Sequence, residues 1–103
     1  MMGFRVEWHE PKNRANQRKH GVSFEEAAEV FLDPLHLSSQ DRIEGGEQRW
    51  QTFGLSVGST LLIVAHTITT DENAEGEIVE VIRIVSARRA NRMERQRYES
   101  ENG

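Results

Sequence analysis

Residues 61–85 read LLIVAHTITTDENAEGEIVEVIRIV, and this stretch decides the fold. Leu61 to Ala65 is continuously apolar, the pattern of a central strand covered on both faces. Ile78 to Val85 is β-branched except at Glu80 and Arg83 and reads as a second central strand. The acidic segment DENAEGE, residues 71–77, joins them as a flexible hairpin loop. Just upstream, Phe53, Leu55 and Val57 alternate along a strand that ends in a turn at Gly58-Ser59. Residues 41–48, DRIEGGEQ, read as a polar loop, and a short strand is expected around Leu35 to Ser38.

Further out, Ser23 and Glu26 form a capping box with Val22 placed to staple against Ala27. Phe24, Ala27, Ala28 and Phe31 then recur at i, i+3, i+4 and i+7, one face of a helix that Asp33-Pro34 ends. A second helix runs from Pro11 to His20 and stops at Gly21. Its only clear apolar residue is Ala15, so no oily stripe holds it. Phe4 to Trp8 alternates as a half-buried strand, and Ala87 to Tyr98 reads as a terminal helix with Ala90 and Met93 on one side. The order is β-α-α-β-β-β-β-α. It predicts an α+β fold: two N-terminal helices and a C-terminal helix packed on one face of an antiparallel β-sheet, in a single domain over 1–103.

A chain of 103 residues with 36% hydrophobic residues buries a lean core, so contact with a partner is expected to add stability. No stretch approaches the length of a membrane span, and the N-terminus lacks the apolar run of a signal peptide, which predicts a cytoplasmic protein with no membrane partner. Cysteine is absent, which removes disulfides and Cys-ligated zinc. His9, His20, His36 and His66 show no i, i+4 pair, so neither a metal nor another cofactor is expected.

The formal charge of −4 hides a segregation. Ten of the 13 Lys and Arg fall in residues 12–19 and 83–97, where the only acid is Glu94, a local balance of +9. Such clustering suits a polyanion, because phosphate binding follows the local field; the alternative is a solvated helix face paired with acids from elsewhere. Lys19 beside His20 suits general acid/base work, although His20 would equally suit a helix C-terminus. Arg83, inside a β-branched strand, is either a phosphate ligand or the partner of Glu80 or Glu7. Ser86 is either an active hydroxyl or the N-cap of the last helix, at whose start Arg88 and Arg89 would meet anions.

Taken together, VEWHEPKNRANQRKHGVSFEEAAEVFLDP near the start and IRIVSARRANRMERQRYE near the end resemble the BrnT toxin family. So does the middle, with EQRW followed by FGLS; the likeness runs from about residue 4 to residue 99. Two places depart from the family pattern: His9 replaces the usual acid after the first-strand tryptophan, and the acidic loop at 71–77 is longer.

The resemblance implies a RelE-like ribonuclease fold and a toxin of a type II toxin–antitoxin system that arrests growth by cutting RNA. It also implies an antitoxin of the BrnA kind, a ribbon-helix-helix protein, in a 2:2 complex that reaches operator DNA through the antitoxin and represses the operon. On that basis the expected activity is a metal-independent endoribonuclease. Arg49, Arg83 and Arg88 would hold the phosphate, and His20 helped by Lys19 would move the proton. Glu94 and Tyr98, at i, i+4 on the last helix, are further proton-transfer candidates. Lys12, Arg14, Arg18, Arg89 and Arg92 would bind the RNA backbone. A non-catalytic module that binds nucleic acid or protein through the same surface is the rival reading.

Overall fold

In a computed structural model, which describes residues 3–102, a five-stranded sheet is built in the order β1-β5-β4-β3-β2. The strands are β1 (Gly3–Glu7), β2 (Leu37–Glu44), β3 (Glu47–Leu55), β4 (Leu61–Glu72) and β5 (Ile78–Arg89). As the apolar runs predict, β4 and β5 lie inside the sheet. The sheet is mixed rather than antiparallel, because β1 lies parallel to β5, from Gly3 opposite Val79 to Glu7 opposite Arg83.

The helices are α1 (Glu10–His20), α2 (Phe24–Ala28) and α3 (Arg92–Asn102). Only α1 is a full N-terminal helix. α2 has five residues and tightens into a 3-10 turn, Glu29–Leu32, instead of running on to Phe31 as an α-helix. Half of its expected capping box is present: Ser23 Oγ accepts from the Glu26 amide at 3.0 Å, while among the described residues the Glu26 carboxylate does not return a bond to the Ser23 amide. The polar segment 41–48 is strand on either side of a two-residue turn, not loop. β2 and β3 continue into a hairpin closed by Gly45 and Gly46, whose positive φ angles of 59° and 81° fit a tight turn between twisted strands. Much of the acidic 71–77 segment is likewise ordered: Asp71 and Glu72 belong to β4, and Asn73 Oδ1 accepts from the Glu75 and Glu77 amides.

The helices cover both faces of the sheet, not one. Under α1 and α2 lies the larger core, with Val22, Phe24, Val30 and Phe31 packed on Leu62, Val64, Ile82 and Ile84. On the opposite face Tyr98 of α3 packs on Phe53, Leu61 and Ile63. Met93, read with Ala90 as one side of the last helix, faces solvent.

Without an apolar stripe, α1 is held by two buried asparagines. Asn13 Oδ1 accepts from the Phe24 amide at 2.8 Å, and its Nδ2 donates to Glu10 and Glu25. Asn16 donates to the Val22 and Ala87 carbonyls at 2.9 and 2.8 Å and accepts from the Ala87 amide. Because β1 ends opposite Arg83, the edge of β5 beyond it has no strand neighbour among the described residues. The Asn16 side chain takes that place at Ala87, satisfying backbone groups that would be costly to bury unpaired.

A polar thread crosses the larger core. His66, 1% exposed, stacks edge-on against Phe31 at 4.9 Å. Its Nε2 lies 2.6 Å from Thr52 Oγ1, which in turn meets Ser38 Oγ at 2.7 Å. Burial holds the imidazole pKa down to about 4 against the weaker pull of the Thr67 carbonyl, and His36 adds to the lowering. Among the described residues no helix is long and apolar enough to cross a membrane.

Candidate nucleic-acid interface

The two cationic segments meet along β5, and a bulge decides how. Ala65 pairs with Ser86 but His66 pairs with Ile84, so Val85 is one residue extra on β5. In a regular strand, positions 83 and 88 would point to opposite faces. With the bulge, Arg83 stands opposite Thr67, Ser86 opposite Ala65 and Arg88 opposite Ile63, all on the face that carries α3. The same shift keeps Ile82, Ile84 and Ala87 together in the core under α1 and α2.

Arg49 joins this face from β3. It lies two residues from Gln51, the partner of Ala65, and so extends the row toward Thr67. Its Nε is buried with no hydrogen-bond partner among the described residues, and the nearest carboxylate, Glu44, is 3.9 Å away. Arg83 is 56% exposed along its side chain and among the described residues has only a loose ion-pair contact, Glu7 Oε1 at 3.9 Å. It is therefore not a buried structural pair, and Glu80 stands on the other face, opposite Phe4. Arg97 adds a cation the sequence reading did not single out, stacked 5.4 Å above the Phe53 ring.

Arg88 is engaged. Its guanidinium makes a two-pronged pair with Glu94, at 2.8 and 2.7 Å. Hydrogen bonding from Arg88 is the chief reason the Glu94 pKa is lowered, and the same bond raises that of Arg88. Glu94 Oε1 also accepts from the Asn91 amide while Asn91 Oδ1 accepts from the Glu94 amide, a reciprocal cap. Asn91, not Ser86, thus caps the last helix, which begins at Arg92 rather than Ala87; Arg88 and Arg89 are strand residues.

Glu94 and Tyr98 are not poised as a proton-transfer pair. Glu94 is committed to Arg88 and the cap, and the Tyr98 hydroxyl donates to Asp33 Oδ2 at 2.6 Å. Burial, then Asp33, pushes the Tyr98 pKa up to about 12. Burial works to raise that of Asp33, but bonds from Tyr98 and the Leu55 and Leu35 amides outweigh it and the net shift is downward.

At the β5 edge, Lys12, Ala15, Asn16, Lys19 and His20 of α1 face Val85 and Ser86 across an open cleft of about 300 Å³. These α1 positions share one side of the helix at i, i+3, i+4, i+7 and i+8. Arg14 and Arg18 turn outward on the far side, so two of the expected RNA-binding cations lie off the cleft. Arg89 falls on the α1 side of the sheet beside Gly21, where a β-carbon would come within 3.5 Å of its Nη1, and Arg92 is exposed at the start of α3. Among the described residues no group of three or more His, Cys, Asp or Glu side chains is placed to hold a metal ion.

The sequence profile of the family described as "Ribonuclease toxin, BrnT, of type II toxin-antitoxin system" matches residues 8–94. No curated protein matches the sequence. Among solved structures, the chain is similar to the 1.1 Å crystal structure of the Brucella abortus ribonuclease toxin, BrnT. That match has 22% identity and a TM-score of 0.52 and covers 89% of this chain and 99% of the other, a likeness of fold. The profile spans the α1 cleft and both stretches of β5 on either side of the bulge, and on that match the chain belongs to the BrnT family of ribonuclease toxins of type II toxin–antitoxin systems.

Proposed function

We propose that this chain is a single-domain, RelE-like, metal-independent endoribonuclease whose site is the arginine face of the sheet together with the α1 cleft. The observation that carries the reading is the Val85 bulge, which gathers Arg83, Ser86 and Arg88 on one face, with Ser86 also lining the cleft of Lys12, Lys19 and His20. In this chemistry the ribose 2′-oxygen bonds to the adjacent phosphorus and the P–O5′ bond breaks, leaving a 2′,3′-cyclic phosphate and a 5′-hydroxyl. The protein must accept the 2′ proton, stabilise the charge gathering on the non-bridging oxygens and return a proton to O5′. Arg49 and Arg83 supply the second need with planar, multi-donor guanidinium groups, and Arg88 with the donors that its pair with Glu94 leaves over. His20, helped by Lys19, carries the proton, and Lys12 steadies the flanking backbone.

In the cell, RNA cutting would inhibit translation until a ribbon-helix-helix antitoxin of the BrnA kind neutralised the toxin in a cytoplasmic 2:2 complex. Operator DNA would be bound through that antitoxin, repressing the operon. A labelled single-stranded RNA incubated with the purified chain in excess EDTA tests the activity. Cleavage with cyclic-phosphate ends is expected. Binding without cleavage would favour a non-catalytic module on the same surface, and cleavage restored only by a divalent ion would overturn the metal-independent mechanism.

A further inference from the structure

Among the described residues, none gives the Ser86 hydroxyl a structural role. Ser86 lies six residues before α3, whose cap is Asn91, so the helix does not need its hydroxyl. Across the sheet it faces Ala65, which has no polar side chain to offer. On the other side β1 has already ended opposite Arg83, and Asn16 binds Ala87, the next residue, not Ser86. Ser86 is partly exposed, and it alone both lines the α1 cleft and stands in the row between Arg83 and Arg88. In the row it is one step from Arg83, the two β4 residues from Ala65 to Thr67 or roughly 7 Å, a span an extended arginine side chain covers, and Arg83 is only loosely held by Glu7. A phosphate held by the guanidinium groups would therefore sit above Ser86, with Lys19 and His20 along its cleft side.

Resting on the ribonuclease reading, we propose that Ser86 is a further catalytic residue, its hydroxyl donating a hydrogen bond to a non-bridging oxygen of the scissile phosphate. No bond to serine forms or breaks. The hydroxyl keeps its proton and, through the cleft, stabilises the charge that grows on that oxygen as the 2′-oxygen adds. A neutral donor suits this place because it adds stabilisation where charge develops without tightening ground-state binding. The bulge fits the role, since bulges commonly re-aim a side chain beside a site of chemistry.

Single-turnover and steady-state cleavage by Ser86→Ala, Ser86→Cys and Ser86→Thr test this, with thermal melting of each. For Ser86→Ala, kcat is expected to fall on the order of 10²-fold, the usual cost of one such donor, with KM within about threefold and an unchanged melting temperature. Ser86→Thr, which keeps the hydroxyl, should recover most of the loss. Ser86→Cys, nearly isosteric but a weak donor, should behave like alanine and stands in for it if the alanine variant melts early. An active wild type with Ser86→Ala cutting at the same rate would overturn the role of Ser86 alone. So would a loss confined to KM, or a threonine variant as slow as alanine. A wild type that cuts no RNA would overturn the ribonuclease reading itself.

Discussion

His66 should make this protein acid-labile across a defined pH window. In the unfolded chain an ordinary imidazole takes up a proton near pH 6.5, whereas burial against Phe31 and Thr52 holds native His66 down to about 4. The native pKa lies below the unfolded one, so as pH falls through 6.5 the unfolded state gains a proton the native state refuses. Stability therefore falls between pH 6.5 and 4, by up to about 1.4 kcal/mol for each pH unit. Over the full gap this amounts to about 3 kcal/mol, a large part of the stability of a domain this small. Below pH 4 both states are protonated and this residue adds no further loss. Asp33 and Glu94, whose native pKa values are also lowered, act in the same direction, but because carboxylates titrate lower than an imidazole their contributions are lost only at lower pH, as they are protonated. Urea unfolding at pH 7, 6, 5 and 4.5 isolates the histidine window, and imidazole proton NMR assigns it. His66→Gln, which keeps an acceptor for Thr52 but does not titrate, should flatten the slope between pH 6.5 and 4.5. A stability that is constant from pH 7 to 4.5, or a His66 resonance that titrates near 6.5 in the folded protein, would refute the reasoning.

Arg83→Ala should remove toxicity and slow RNA cleavage on the order of 10²–10³-fold while leaving the melting temperature nearly unchanged, because Arg83 is exposed and only loosely paired with Glu7. RNA binding should weaken steeply with salt despite the pI of about 5.6, and in this variant the log–log slope should shrink by about 0.7, one single-strand phosphate contact; loss of fold, or a flat salt response in the wild type, counts against the arginine face. Gly54→Ala should cost about 1–3 kcal/mol in chemical denaturation, since a β-carbon there would lie 2.7 Å from Val30 Cγ1 and 3.1 Å from its carbonyl oxygen; a variant as stable as the wild type would mean that the 3-10 turn yields easily.

What the sequence discloses here is burial, and what it conceals is facing. Leu61 to Ala65 and the capped stretch from Ser23 identify themselves because apolar periodicity follows directly from which positions lose water. The parallel seat of β1 does not, since a five-residue strand reads alike whether its neighbour runs with it or against it. Nor does the anchoring of α1, because Asn13 and Asn16 look like the solvent-facing residues around them, and only the strand edge left bare at Ala87 gives Asn16 its work. The site suffers most from this. Charge clustering in residues 12–19 and 83–97 is legible, yet Arg14, Arg18 and Arg89 turn away from the surface that Arg49, Arg83 and Arg88 share. The deciding residue is Val85, and a run of Val, Ile and Ser gives no sign that its phase slips by one. Had β5 been regular, the pattern of Ile82 and Ile84 would have sent Ala87 out of the core and Arg88 into it. A buried guanidinium without a partner is costly, whereas an alanine fits under Val22 and Asn16. The bulge thus satisfies the core and the site at once, because the same slip that seats Ala87 beneath α1 turns Ser86 and Arg88 outward beside Arg83.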